Sequence, residues 1–201
     1  MNFAIKLLII AILAIVPLIS NAAGVTHHNI GAQDCESFTK NIIEYTQKNV
    51  SLSQKKAFLL QNIDTKFITK FVLGSSWRAL SPEQRKEFYE VYSKYVVYKY
   101  AIYLGQYKVL SYKIVSVTND ERRPEVCNVL AMITTKIKGE KTEIPLVAVV
   151  ANSNGTFLMQ DILFKNLGIL QIQQQEISAI VKSEGYDKTL QTLEEFVESQ
   201  K

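Results

Sequence analysis

The chain lacks the short motifs that mark most enzymes. It has no G-x-S-x-G, H-E-x-x-H, C-x-x-C or G-x-G-x-x-G, and no phosphate-binding loop. Histidine is nearly absent, with only His27 and His28. Both fall in the loose start of the mature chain, which argues against a nucleophile built from them and nearby Cys35. No cluster of His, Cys, Asp or Glu has metal-ligand spacing. Glycine and proline are few, eight and four in 201 residues, and no Pro- or Ser-rich linker, low-complexity tract or repeat divides the chain. Charge of one sign is also missing. The 23 basic residues are interleaved with 19 acidic ones, for a net charge of +4, which argues against nucleic acid as a partner.

Long apolar runs are absent except at the start. Lys6 precedes Leu7 to Ile19, a run broken by Pro17 and followed by Ser20, Ala22 and Ala23. A spanning helix wants about 20 apolar residues. The run therefore reads as a secretory signal peptide over residues 1–22, cleaved near Ala22 or Ala23. No cysteine stands directly after it to take a lipid anchor. Residues 23–201 then form a single domain, long enough for a sizeable core. In an exported protein Cys35 and Cys127 have the option of one disulfide, which sequence alone leaves open.

What is abundant is tyrosine, and in one place. Six of the ten tyrosines fall between Tyr89 and Tyr103. The run follows Ser81-Pro82-Glu83-Gln84, an N-cap serine, a first-turn proline and a capping-box glutamine, so it reads as one helix to about Leu104, stopped by Gly105. At ~100° per residue its apolar sector spans roughly 200°. One packing partner covers a little over ~100°. Such a helix is either buried in the middle of a fold or lines a cavity. Lys99 falls inside this sector, where a cation must snorkel, find a partner or meet an anionic ligand.

Shorter helices are expected before it, over Gln33–Asn49, Gln54–Gln61 and Asp64–Leu73, the last with Asp64 as N-cap. After Gly105 the periodicity turns to strands: Tyr107–Thr118, Glu125–Lys138, Thr142–Ala151 and Thr156–Phe164, the last two joined at Asn154-Gly155. Two helices, Ile169–Ser183 and Asp187–Glu198, close the chain. Helices, then an antiparallel meander, then helices make an α+β domain. Thr142–Ala151 is apolar on both faces, so this sheet is expected to be covered on both sides.

From Phe71 to Phe88 the chain reads Phe-Val-Leu-Gly-Ser-Ser-Trp-Arg-Ala-Leu-Ser-Pro-Glu-Gln-Arg-Lys-Glu-Phe. This resembles the MlaC/toluene-tolerance family of periplasmic phospholipid-binding proteins, whose signature is a hydrophobic-Leu-Gly, then Trp-Arg, then Ser/Pro-x-Gln-Arg-x-x-Phe. The likeness continues at Tyr100-Ala101, at Asp161, and at Gly185 with Leu190. It departs after Asp161, where Asn166, Leu167 and Gly168 stand in place of the family's Gly-hydrophobic-Ser step, so that serine hydroxyl is missing here.

The resemblance implies a curved antiparallel sheet wrapped by helices, a nuclear-transport-factor-like half-barrel with an elongated apolar cavity. It implies a monomeric periplasmic carrier of phospholipid, an auxiliary component of an ABC transporter that serves outer-membrane lipid asymmetry. The implied partners are an outer-membrane lipoprotein–porin complex and an inner-membrane ABC transporter complex with an MCE-domain ring. No catalytic residue, metal or cofactor is expected. The residues chosen to line the cavity are Phe71, Trp77, Phe88, Tyr92, Tyr95, Val96, Lys99 and Tyr100 from helices, with Leu130, Met132, Leu146, Ala148 and Met159 from strands. Two other readings stand beside it: an enzyme of the same cone-shaped fold using Asp161 or a buried Tyr as acid/base, and a structural adaptor without ligand.

Overall fold

The computed structural model describes residues 31–106, 108–153 and 155–200. The expected signal segment, with His27 and His28, lies outside the described residues. Five helices come first: α1 (Ala32–Gln47), α2 (Leu52–Asn62), α3 (Thr65–Leu73), the short α4 (Ser76–Ala79) and the long α5 (Pro82–Gln106). Strands β1 (Val109–Asn119), β2 (Val126–Ile137), β3 (Glu140–Ser153), β4 (Thr156–Phe164) and β5 (Leu167–Gly168) follow, then α6 (Ile169–Glu184) and α7 (Tyr186–Glu198).

The helix starts obey the local chemistry of the sequence. Ser81 and Gln84 form the expected capping box, Gln84 N donating to Ser81 Oγ at 3.2 Å and Ser81 N to Gln84 Oε1 at 3.0 Å. Asp64 caps α3 by accepting from Phe67 N at 3.0 Å. Ser51 caps α2 through a second box with Gln54, which extends that helix beyond Gln54–Gln61. Gly105 does not end α5, which runs to Gln106.

The strands form one antiparallel sheet in the order β1-β2-β3-β4-β5. Consecutive strands are neighbours throughout, as short turns dictate. Lys138 and Gly139 turn β2 into β3 with both φ positive, and Lys165 and Asn166 do the same between β4 and β5. Pro145 lies in a central strand without harm, because β4 begins to pair with β3 only at Leu146. Strand β1 is an edge. Its register slips at Leu110 and again at Val115, and both of these bulged residues are exposed.

The helices cover one face of the sheet. A single apolar cluster joins Cys127, Val129, Ala148, Val150 and Met159 to residues of α1, α2, α3, α5, α6 and α7. Cys35 of α1 is bonded to Cys127 of β2, with the Cα atoms 6.6 Å apart, so the option left open by the sequence is taken. The opposite face holds a separate small cluster of Val126, Val149 and Ala151 beside Leu163, while Leu130, Met132 and Val147 there stay half-buried. No helix among the described residues is long and apolar enough to cross a membrane.

Candidate functional site

Helix α5 runs through the middle of the helical layer. It packs against α2, α3 and α7, and its wide apolar sector is consumed by these neighbours. Phe88, Tyr92 and Val96 are fully buried and Tyr95 nearly so. Phe88 stacks on Tyr92 at 5.4 Å, Tyr92 meets Tyr95 at 5.5 Å, and Phe196 of α7 meets Tyr95 in a T-shaped contact at 5.0 Å. Each such ring pair adds on the order of 1 kcal/mol beyond its buried area.

Toward α6 the contact changes character. Here polar side-chain tips bridge the two helices. The Tyr92 hydroxyl donates to Gln173 Oε1 at 2.8 Å, and Gln173 Nε2 donates to the Tyr100 hydroxyl at 3.3 Å. Tyr100 is only half-buried as a residue, but this bond draws its hydroxyl inward. Burial pushes the Tyr92 and Tyr100 phenols well above the ordinary range, reinforced for Tyr100 by the charge of Asp161. Both are neutral phenols at physiological pH, Tyr92 donating and Tyr100 accepting.

Lys99 sits at the end of this seam. Its Nζ donates to the Tyr95 hydroxyl at 2.8 Å and stands 3.8 Å from Glu176 Oε2. Burial alone would lower its pKa, but the Tyr95 oxygen, then Tyr103 and Glu176, outweigh it and the net shift is upward. Lys99 is therefore a cation, reaching into the fold with 14% of its side chain exposed while Glu176 keeps 35%.

Asp161 is engaged by the backbone. One carboxylate oxygen accepts from Ile162 N at 2.8 Å and Leu170 N at 3.1 Å, which places the carboxylate at the N-terminus of α6, where a negative charge is favoured. Burial raises its pKa above the ordinary carboxylate value, and the backbone N–H groups of Leu170, Ile162 and Ile169 offset that rise only in part. The departure at Gly168 has a physical reason: the Asp161 carboxylate occupies the space a Cβ there would need. The aspartate caps α6 directly, and a serine hydroxyl is not needed for that task.

The strand residues chosen from sequence do not form one wall. Residues paired across an antiparallel ladder share a face. Leu130 pairs with Val147 and Met132 with Pro145, whereas Ala148 pairs with Val129 and Leu146 with Ala131. Leu146 and Ala148 thus face the helices, and Leu130 and Met132 face away. Met159 pairs with Val150 across a bulge and joins the helix-facing side. Both faces of β2 are apolar, so its period-two pattern could not say which one the helices take.

Two helix residues lie nearer the surface, although Trp77 still packs against the core cluster. Phe71 is 36% exposed on α3. Trp77 is half-buried under Arg85, whose Nε donates to Trp77 O at 2.9 Å and whose guanidinium lies 5.5 Å from the indole. That arginine holds α4 in place. Gln173 and Glu176 went unrecognised in the sequence. Gln173 had a signal: it interrupts the buried stripe Leu170, Gln173, Ile177 as Lys99 interrupts that of α5.

Recesses are present among the described residues. One of about 240 Å³ is lined by Val91, Lys94, Glu194, Val197 and Glu198, and one of about 30 Å³ lies beside Gly31, Cys35 and Cys127. Neither is lined by the residues chosen from sequence. Among the described residues no group of His, Cys, Asp and Glu could hold a metal ion.

A family model described as MlaC protein matches residues 37–195. No curated protein matches the chain. Among solved structures, the chain is similar to the phospholipid-binding protein from Ralstonia solanacearum in complex with a phospholipid. The TM-score is 0.64 at 15% identity, covering 85% of this chain and 98% of that one. The arrangement of helices around an antiparallel sheet is common to both.

Proposed function

The chain belongs to the MlaC family, and from that membership we propose that it is a soluble periplasmic phospholipid carrier. It takes acyl chains into the apolar region between α5 and the helix-facing side of the sheet, and leaves the headgroup outside. The observation that carries this reading is the family match across nearly all of the mature chain. The phospholipid bound to the Ralstonia solanacearum protein of the same fold supports it, and so does the buried disulfide, a feature of oxidising compartments.

The physical demand is plain. A two-chain lipid exposes on the order of 30 methylenes, each worth ~0.8 kcal/mol on leaving water. It cannot cross an aqueous compartment bare. Phe88, Tyr92, Tyr95, Val96 and Tyr100, with Leu146, Ala148 and Met159, provide an apolar lining once the packed core parts to admit the chains. In this reading the carrier exchanges lipid with an inner-membrane ABC transporter complex bearing an MCE-domain ring and with an outer-membrane lipoprotein–porin complex, as an auxiliary component of that system.

We assign no catalytic step. An acid/base group should titrate near the working pH. Tyr92 and Tyr100 are driven far from it, and the Asp161 carboxylate is occupied in capping α6.

The test is mass spectrometry of molecules extracted from protein purified without detergent. Stoichiometric phospholipid is the expected result. A reproducibly empty protein that takes up no lipid from vesicles would overturn the reading.

A further inference from the structure

Lys99 and Glu176 bring opposite charges together at the lip of the α5–α6 seam. Three features set this pair apart from an ordinary surface ion pair. First, it straddles the boundary of the fold: Glu176 keeps 35% of its side chain exposed and Lys99 only 14%, and Tyr95 directly beneath is 7% exposed. Second, the pair is loose. At 3.8 Å it exceeds the roughly 2.7–2.9 Å of a charge-assisted hydrogen bond, and the short bond of Lys99 goes to the Tyr95 hydroxyl instead. An ammonium has three donors and a carboxylate about four acceptor positions, so each partner has capacity for a further charged group. Third, α5 and α6 meet here through side-chain tips, Tyr92 to Gln173 and Gln173 to Tyr100. A group can enter beside them without breaking a closely packed backbone interface.

We propose that this pair receives a zwitterionic lipid headgroup, Lys99 taking the phosphate and Glu176 the ammonium. The inference rests on the carrier reading and specifies the class of lipid. A purely anionic headgroup gains Lys99 but competes with Glu176 for it and meets the carboxylate as a like charge. A headgroup carrying both charges a short spacer apart satisfies both side chains at once and leaves neither unpaired near the interior. The acyl chains then run inward past Tyr95 toward Tyr92 and Phe88. The preference is modest, because Glu176 faces water and screening limits what it contributes.

The experiment offers mature protein mixed vesicles of equimolar phosphatidylethanolamine and phosphatidylglycerol with identical acyl chains. The protein is re-isolated and its bound lipid identified by mass spectrometry. Wild type is expected to favour the zwitterionic lipid by roughly threefold to fivefold, the ratio a half-exposed ion pair supplies. Glu176→Gln, which keeps the shape and removes the charge, is expected to bring the ratio to one or below. Lys99→Met is expected to lower the anionic lipid further. A melting curve on each variant shows whether it is folded. Unchanged proportions in Glu176→Gln would overturn this inference and leave the carrier reading standing. No lipid in any variant would overturn the carrier reading, and this inference with it.

Discussion

The Asp161 carboxylate fills the space into which a side chain at position 168 would project. Gly168 itself has ordinary extended backbone, with φ −75°, so its requirement is contact and not conformation. Gly168→Ser should therefore destabilise the fold by pushing Asp161 off the N–H groups of Ile162 and Leu170. A lost helix cap costs about 0.5–2 kcal/mol. Asp161→Ala should cost a similar amount alone, and little more when combined with Gly168→Ser, because the two act on the same contact. Denaturant unfolding of both single variants and the double one measures this. Fully additive losses would mean that the two positions act separately.

The second expectation concerns the disulfide. Cys35 and Cys127 are 92 residues apart and tie α1 to the start of β2. Cross-links over long loops stabilise by about 2–5 kcal/mol. Reduction, or Cys35→Ala with Cys127→Ala, should lower the melting temperature by roughly 5–20 °C. A melting curve indifferent to reductant would show that α1 is held by packing alone.

The third concerns pH. The Tyr112 hydroxyl of β1 donates to Glu44 Oε1 of α1 at 2.6 Å. This bond, with smaller contributions from burial and the Glu44 charge, pushes the phenol up to about 12 from its ordinary 10.0. The folded state thus holds this proton more tightly than the unfolded chain does. Its contribution is complete below pH 10 and is lost as pH rises from 10 through about 12. The pair faces solvent, so screening holds it under about 1 kcal/mol. The stability gap between wild type and Tyr112→Phe should close across that window. A gap that stays constant to pH 12 would sink the assignment.

The fourth concerns the two faces of the sheet. If lipid lies on the helix-facing side, Leu130→Thr and Met132→Thr should leave phospholipid uptake unchanged. Ala131→Leu, one position along β2 and buried, should reduce it. Overpacking costs about 1–3 kcal/mol, so uptake must be compared among variants that remain folded. Loss of uptake in the Leu130 variant instead would put the lipid on the other face.

The fold was legible in its punctuation. The Ser81 box, the Asp64 cap and the switch to strand periodicity near Gly105 are local signals, and local chemistry decided them. The faces were not legible. Strand β2 is apolar at Val129 and Ala131 on one side and at Leu130 and Met132 on the other, and only pairing with β3 and docking of the helices separates them. Lys99 stood out because a charge interrupts an apolar stripe. Its partner Glu176 did not, because a glutamate on a half-exposed helix is unremarked until another helix arrives beside it. The Gly168 departure looked like a lost hydroxyl, and its reason lies seven residues earlier in the chain but in direct contact in space.

The two register slips in β1 bear on how this protein behaves at high concentration. An eleven-residue strand with one open edge is a template on which another copy could add, and the route from there leads to fibres. The extra residues at Leu110 and Val115 leave regular runs of only Ser111–Ile114 and Ser116–Asn119, each about one hairpin arm long. A second chain laid along this edge would lose register every few residues, so the kinks protect solubility at the cost of two exposed apolar side chains.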